Sequence, residues 1–379
     1  MAATALNEAG PSGDQPIAES YHVAALHDAR EDPAWDAFLE ATPGGHHAQS
    51  SLWAEVKRSL GWHAVRVVVR DQDGIVGGVQ LVTRSVNRFG AVAFAARGPV
   101  LARPDPRLLD AVLDAVMALG RARRIRYVKL QPPVDRPDLV DALLARGWAP
   151  SAVEAAPSAT VRVSLDRPEA EILAGMRRST RRGARQSVER GLEIRVGGVD
   201  DLPALHGMIA STAVRQGFDQ YPIQYYATMW RVFAARDQAL FLLGEMDGEL
   251  LAAHLYIGFN DCVTAKAGGW SGQVRSGVRP NTALDWAAMR WGREHGYQAF
   301  DFDGISPPVA RALAAGEEIP EAARGGVSEY KLGFGGHARV LPGAVDNSPN
   351  LALRPAVRLA APRLAGMHSA AHRLLGRGA

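Results

Sequence analysis

Of the 43 basic side chains in this 379-residue chain, only four are lysines: Lys57, Lys129, Lys266 and Lys331. The other 39 are arginines, so arginine is the general-purpose cation here. A lysine is a compact point charge and an arginine a planar fork, and both are partners for phosphate. A composition bias can produce the ratio by itself, so each lysine is weighed by its surroundings. Lys57 closes an amphipathic helical stretch, HHAQSSLWAEVKRSLGW, that turns Trp53 and Val56 inward. Lys331 follows Tyr330 in a glycine-rich turn, SEYKLGFGG, and Arg215 lies in the expected helix STAVRQGF. The densest charge is MRRSTRRGARQSVERGLEIRV. Seven arginines at 177, 178, 181, 182, 185, 190 and 195 stand there against Glu189 and Glu193, a net charge of +5. Arg178, Arg182 and Arg185 share one helical face, suited to an RNA backbone read by charge and shape. A solvated charged surface is the ordinary alternative.

Acidic and metal-binding candidates are fewer. Asp301 and Asp303 lie two apart on an expected strand and are not expected to act as a carboxylate pair. Asp303, at the strand end, is a candidate proton acceptor in a cleft. His46 and His47 have no further ligand at metal spacing, and no metal site is expected. The single cysteine, Cys262, can form neither an intramolecular disulfide nor a thiolate cluster, which points to a reducing compartment. No stretch reaches the ~18 apolar residues of a membrane span, and no signal peptide is evident. The expected location is cytoplasmic.

These residues need a scaffold. At 47% hydrophobic and 22% charged, the chain is of ordinary globular composition, long enough for two domains. Residues 1–20 are small, polar and aperiodic, and read as a disordered leader. Beyond them, one order of elements occurs twice. HAVRVVVRDQDGIVGGVQLVTR forms a hairpin around Asp73-Gly74, and ALFLLGEMDGELLAAHLYIGF another around Asp247-Gly248. An amphipathic helix and a strand follow each, the strands lying at Tyr127–Leu130 and Phe300–Phe302. The two hairpin turns and the two Leu-Asp pairs (109–110, 284–285) repeat at offsets of 174 and 175 residues. A tandem duplication of one α/β unit is therefore expected. The order of helical start, β-meander, then helix–strand–helix is that of the GNAT acyltransferase fold. The expected boundaries are 21–156 and 157–332, with 333–379 either closing onto the first unit or standing apart.

The stretch from Gln49 to Lys57 resembles the Q-S-x-x-W-x-x-x-K opening of the Fem family, the aminoacyl-tRNA-dependent transferases of peptidoglycan cross-bridge synthesis. RGPVL (97–101), YVKLQPP (127–133), LLARGWAP (143–150), STAVRQGF (211–218), FDFDGIS (300–306) and SEYKLGFGG (328–336) are similar to further family signatures, in the family's order. The resemblance covers about 45–336. It implies that Lys57 and Arg215 contact the acceptor's diphosphate. It also implies that Lys331 works near the aminoacyl ester, where an ammonium could stabilise the developing oxyanion. Arginines 177, 178, 181, 182 and 185 are then expected to bind tRNA. The resemblance further implies aminoacyl-tRNA as co-substrate, a UDP-linked or lipid-linked muropeptide as acceptor, and no cofactor.

Two positions depart from the family pattern. Gln131 stands where an aspartate is common, and glutamine cannot accept a proton at neutral pH. Lys266 precedes the glycines of TAKAGGWSG, where the family often has an aromatic, and Trp270 follows them. Lys266 reads either as a phosphate or tRNA contact or as an edge-strand lysine. The tail 351–379 has five arginines and no acid, which would suit peripheral contact with an anionic membrane, a packed helix or disorder. An acyl-CoA N-acyltransferase is the main competing class. Its [QR]-x-x-G-x-[GA] pyrophosphate loop occurs only at Arg373–Gly378, with no helix to follow. A non-catalytic RNA-binding protein, and amide formation on a natural-product peptide, complete the alternatives.

Overall fold

The computed structural model describes residues 21–355 apart from 28–29, 87–89 and 274. The expected leader at 1–20 and nearly all of the basic tail lie outside the described residues. The chain begins with β1 (His22–His27), α1 (Pro33–Ala41) and α2 (Ser51–Arg58). A meander follows: β2 (His63–Asp71), β3 (Gly74–Ser85), β4 (Ala91–Ala96) and the short β5 (Val100–Leu101). Then come α3 (Pro106–Ala122), β6 (Ile125–Gln131), α4 (Asp138–Ala145) and β7 (Ala149–Pro150). Local chemistry sets the helix starts. The Ser50 hydroxyl accepts from the Trp53 N–H at 3.1 Å to cap α2, and Asp105 accepts from the Arg107 N–H at 2.8 Å ahead of Pro106.

The second half contains β8 (Ala159–Ser164), α5 (Glu169–Gly175), α6 (Arg178–Glu189), β9 (Glu193–Val196), α7 (Leu202–Gln216) and α8 (Ile223–Ala234). It continues through β10 (Ala239–Met246), β11 (Glu249–Phe259), β12 (Cys262–Trp270), α9 (Pro280–Glu294), β13 (Ala299–Gly304), α10 (Pro307–Ala314) and α11 (Val327–Leu332). The last strands are β14 (His337–Val340) and β15 (Val345–Asn347).

Two mixed sheets result, ordered β1-β2-β3-β4-β6-β15-β7 and β14-β8-β13-β12-β11-β10-β9. Pairing exposes the duplication: β1, β2, β3, β4 and β6 correspond in order to β9, β10, β11, β12 and β13. The architecture is thus an α/β tandem of GNAT-like units. The repeat resumes at β9, so β8, α5 and α6 form a segment without a counterpart ahead of it. The second sheet also runs beyond residue 332 through β14, while β15 enters the first sheet between β6 and β7. The second hairpin turns on Asp247 and Gly248, both with positive φ, as a two-residue loop. The first is displaced by one residue: Asp71 pairs with Gly74, leaving Gln72 and Asp73 as the loop.

The units share a core. Trp35, Leu39, Trp53 and Val56 of the first pack with Leu205, Met229, Phe233, Phe241 and Leu255 of the second. Burying each such side chain stabilises by about 1.5–3 kcal/mol. Polar clamps reinforce the joint. The Asn260 amide donates to Thr42 O at 2.9 Å and Leu39 O at 3.1 Å. Gln131 is buried, donates to Pro342 O at 3.1 Å, and accepts from the Ala155 and Ala156 N–H groups at 2.9 and 2.7 Å. The residue replacing the expected aspartate therefore ties down the connection between units. A second core lies beneath α3 and α4, and a third beneath α9 and α10. No helix among the described residues is long and apolar enough to cross a membrane.

Candidate active site

The two units differ at one equivalent place. In the first, the parallel pair β4 and β6 stays together from Ala91 to Ala96, in register from Val92 onward. In the second, the parallel pair β12 and β13 holds only from Cys262 to Thr264 and then separates. The separation coincides with a bulge at Asp301–Gly304, where Asp303 has φ 59° and its N–H donates to Asp301 Oδ1 at 2.7 Å. Two residues apart, Asp301 and Asp303 would share one face of a regular strand, and the bulge instead gives their side chains different partners, Thr160 for Asp301 and Lys266 for Asp303. Thr160 Oγ1 holds Asp303 O at 2.6 Å, while the Asp303 side chain meets Lys266.

Beside this opening is a cavity of about 430 Å³ between the units, lined from both. The first unit contributes His46, His47, Trp53, Lys57 and Arg97, the connection Ala155–Pro157, and the second Phe218–Tyr221, Tyr225, Lys266 and Asp303. Lys57, in the last turn of α2, is half-buried, with Nζ 5.4, 5.8 and 5.9 Å from the ring centres of Trp53, Tyr225 and Tyr221. No hydrogen-bond acceptor or carboxylate partners it among the described residues. Burial, and then the charge of Lys266, bring its ammonium down to about 8. Lys266 Nζ lies 5.2 Å from the Trp53 ring centre and 2.9 Å from Asp303 Oδ2. β12 is interior to its sheet, so the edge-strand reading of Lys266 is corrected: it lies where the strands part, facing the cavity. Burial raises the Asp303 carboxyl, but the charge and hydrogen bond of Lys266, with Lys331 and Arg97, outweigh it and hold it at about 2.

Arg97, at the end of β4, is 4% exposed and has φ 61°. Its Nη2 donates to Pro157 O at 2.7 Å, whereas Nη1 is buried without a partner among the described residues. The backbone around it is fastened by Gln49, whose amide donates to Ala96 O at 2.8 Å and Gln80 O at 3.1 Å. A Cβ at Gly98 would lie 2.8 Å from that amide, so glycine permits the close approach. His46 Nδ1 accepts from the Ala48 N–H at 3.1 Å, which places the proton of its neutral ring on Nε2. Burial, then the neighbouring cations, holds His46 and His47 neutral.

The expected site residues are distributed unequally. Lys57 and Asp303 line the cavity. Lys331 does not: it lies on the short helix α11 rather than in a glycine-rich turn, and donates to Phe302 O and Gly304 O, each at 2.7 Å. Its ammonium thereby braces the strand end that carries Asp303, and burial lowers its pKa against the opposing pull of Asp303. Arg215, in the last turn of α7, is exposed. It donates to Trp270 O, to Thr212 Oγ1 at 3.0 Å and to Ser271 O at 3.3 Å, and stacks 5.2 Å from the Trp270 ring centre. It stands one turn ahead of the cavity-lining loop at Phe218.

On α6, Arg178, Arg182 and Arg185 are exposed, while Thr180, Gly183, Ala184 and Ser187 form the buried side. Arg177 pairs with Glu329 at 2.7 Å, and Arg181 donates to Ala174 O at 3.2 Å. Sequence reasoning did not single out Arg97, Tyr221 or Tyr225 as site residues. RGPVL contained the signal for Arg97, but only the fold gives its burial and free N–H.

A model of the FemAB family matches residues 31–138, and one described as an acetyltransferase (GNAT) domain matches 174–335. Among curated proteins, the lipid II:glycine glycyltransferase of Staphylococcus saprophyticus is 25% identical over 212 residues, 52% of this chain and 51% of that protein. The protein of the same name from Staphylococcus haemolyticus is 26% identical over 237 residues, 57% and 56% of the respective chains. The matches thus span about half the length of these relatives. Among solved structures, one described as FemX superposes with a TM-score of 0.76 at 19% identity, covering 89% of this chain and all of the other. A tandem GNAT protein from the clavulanic acid biosynthesis pathway superposes at 0.50 with 15% identity, over 87% and 99% of the two chains.

Proposed function

Because the chain is a member of the Fem family, we propose that it transfers an amino acid from aminoacyl-tRNA to the side-chain amine of a peptidoglycan-precursor peptide, UDP-linked or lipid-linked. The observation that carries this reading is the cavity between the units, where Lys57, Lys266 and Arg97 face one carboxylate, Asp303. Such a site favours an anionic ligand with a reacting amine. The glycyltransferase relatives are named for lipid II, a lipid-linked acceptor.

In the reaction, the acceptor amine attacks the ester carbonyl as its free base. A C–N bond forms, the C–O bond to the terminal ribose breaks, and the amine's proton ends on the departing ribose oxygen. No metal or covalent enzyme intermediate is required. Asp303, ionised throughout the physiological range with its carboxyl near 2, holds and orients an amine N–H rather than storing its proton. Lys57, beside the Tyr221 ring, and Arg215, three residues ahead of Phe218, are assigned to the acceptor's diphosphate. Lys331 is assigned to the aminoacyl ester through its charge, since its hydrogen bonds go to β13. The exposed arginines of α6, with Arg177 and Arg181, would receive the tRNA backbone.

The test is transfer of radiolabelled amino acid from a mixed pool of charged tRNA to UDP-linked and lipid-linked muropeptide, with acetyl-CoA as the competing donor. RNase-sensitive transfer that falls in Lys57→Ala and Lys331→Ala supports the reading and selects the acceptor. Acetyl transfer without tRNA overturns it in favour of an acyl-CoA enzyme, the class that the acetyltransferase-domain match would favour.

A further inference from the structure

Six non-glycine residues have positive φ among those described: Arg97, Arg124, Asp237, Asp247, Asn260 and Asp303. Four have an ordinary cause. Arg124 and Asp237 follow the ends of α3 and α8, and Asp247 and Asn260 lie in hairpin turns. Arg97 and Asp303 instead lie at strand ends, one in each unit, and both line the cavity. Left-handed backbone at non-glycine residues persists where surrounding structure enforces it, and such positions concentrate at functional sites. Arg97 and Asp303 carry opposite charges, yet they form no ion pair with each other. Arg97 keeps a buried Nη1 without a partner, and Asp303 Oδ1 has none among the described residues, Oδ2 being taken by Lys266.

A buried guanidinium N–H left unpaired beside a cavity is completed by an acceptor that enters it. The aminoacyl donor offers no carboxylate, since that group is esterified. A diphosphate calls for several converging donors, whereas Arg97 has Nη2 committed to Pro157 O. An acceptor carboxylate fits the single free edge, and the neighbouring Asp303 fits an amine on the same carbon. Resting on the proposed transfer reaction, we propose that Arg97 and Asp303 bracket an amino-acid head group. The acceptor amine then sits α to a free carboxylate, as in a diaminodicarboxylic acid, rather than at the end of a lysine side chain. Arg97 is the residue that selects between the two.

The test is calorimetric binding of synthetic stem peptides without sugar or phosphate. Their third residue is 2,6-diaminopimelate, its side-chain carboxamide, or lysine. The free-carboxylate stem should bind roughly tenfold or more tightly than the other two. Arg97→Gln should reduce it to their level and leave theirs unchanged, with Arg97→Lys intermediate. Equal binding of all three stems by the wild-type protein overturns the proposal, even if the variants fail to fold. So does a uniform loss in a folded Arg97→Gln protein. Competition by inorganic diphosphate that disappears in Arg97→Gln would assign the site to phosphate and also overturn it. Carboxylate-dependent binding without transfer from any charged tRNA would sink the reaction while leaving the Arg97 assignment intact. Transfer that is equally efficient to the lysine stem would do the reverse.

Discussion

Replacing Lys57 by methionine should make the protein more stable near neutral pH while weakening acceptor binding. Burial, then Lys266, lowers the Lys57 ammonium from its ordinary 10.5 to about 8. At about 1.4 kcal/mol per pH unit, a shift of that size corresponds to about 3 kcal/mol. Because the group is only half-buried and the Trp53, Tyr221 and Tyr225 faces return part of the loss, about 1–3 kcal/mol is the expected gain. Methionine keeps the length of the stem and packs against the same rings. The sign follows from proton counting. Between about pH 8 and 10.5 the unfolded chain holds the proton and the folded one does not, so stability rises with pH. The cost of burying the ammonium is complete below pH 8 and gone above 10.5. Urea unfolding at pH 7 and pH 10 should therefore place Lys57→Met above wild type at pH 7, with the gap shrinking at pH 10. A variant less stable than wild type at pH 7, or an equal difference at both pH values, would refute the reasoning.

Three further outcomes are expected. Lys266→Met leaves the half-buried Asp303 without its ion-pair partner, so stability should drop by about 1–3 kcal/mol. Its carboxyl should rise from about 2, moving the acid limb of the pH–activity profile upward. Gln131→Leu strands the Ala155 and Ala156 N–H groups and should cost roughly 2–4 kcal/mol in thermal or urea unfolding. Arg182→Glu with Arg185→Glu should weaken tRNA binding and flatten its salt dependence while leaving stem-peptide calorimetry unchanged. Loss of stem-peptide binding in that double variant would place α6 at the acceptor site instead.

The repeat was legible because its two hairpins and two helix–strand passages have similar lengths and matching turn residues, which fixes local geometry without reference to the rest of the chain. Less legible was anything settled by distant pairing. β8 and β15 are short, and each finds its place beside a strand more than a hundred residues away, so neither the resumption of the repeat at β9 nor the run past 332 could be derived from periodicity. The same distinction applies to the site. Lys57 announces itself through its spacing from Gln49, just ahead of α2, and from Trp53 on the same helix. Lys266 looked like an edge lysine because only sheet order reveals that β12 is interior. Arg97 was one arginine among 39 until burial and an unmet N–H set it apart.

The position of β15 has a consequence for how the protein is made. The first sheet is completed only when a strand synthesised about 200 residues after β6 slots between β6 and β7. At ~5–20 residues per second, a ribosome needs roughly 10–40 s to deliver it. During that interval the first-made half exposes an open strand edge while the later-made half can assemble nearly all of its own sheet. Completion thus runs opposite to the order of synthesis, and a chain stalled before Val345 would present β6 as a template for pairing with a neighbouring chain.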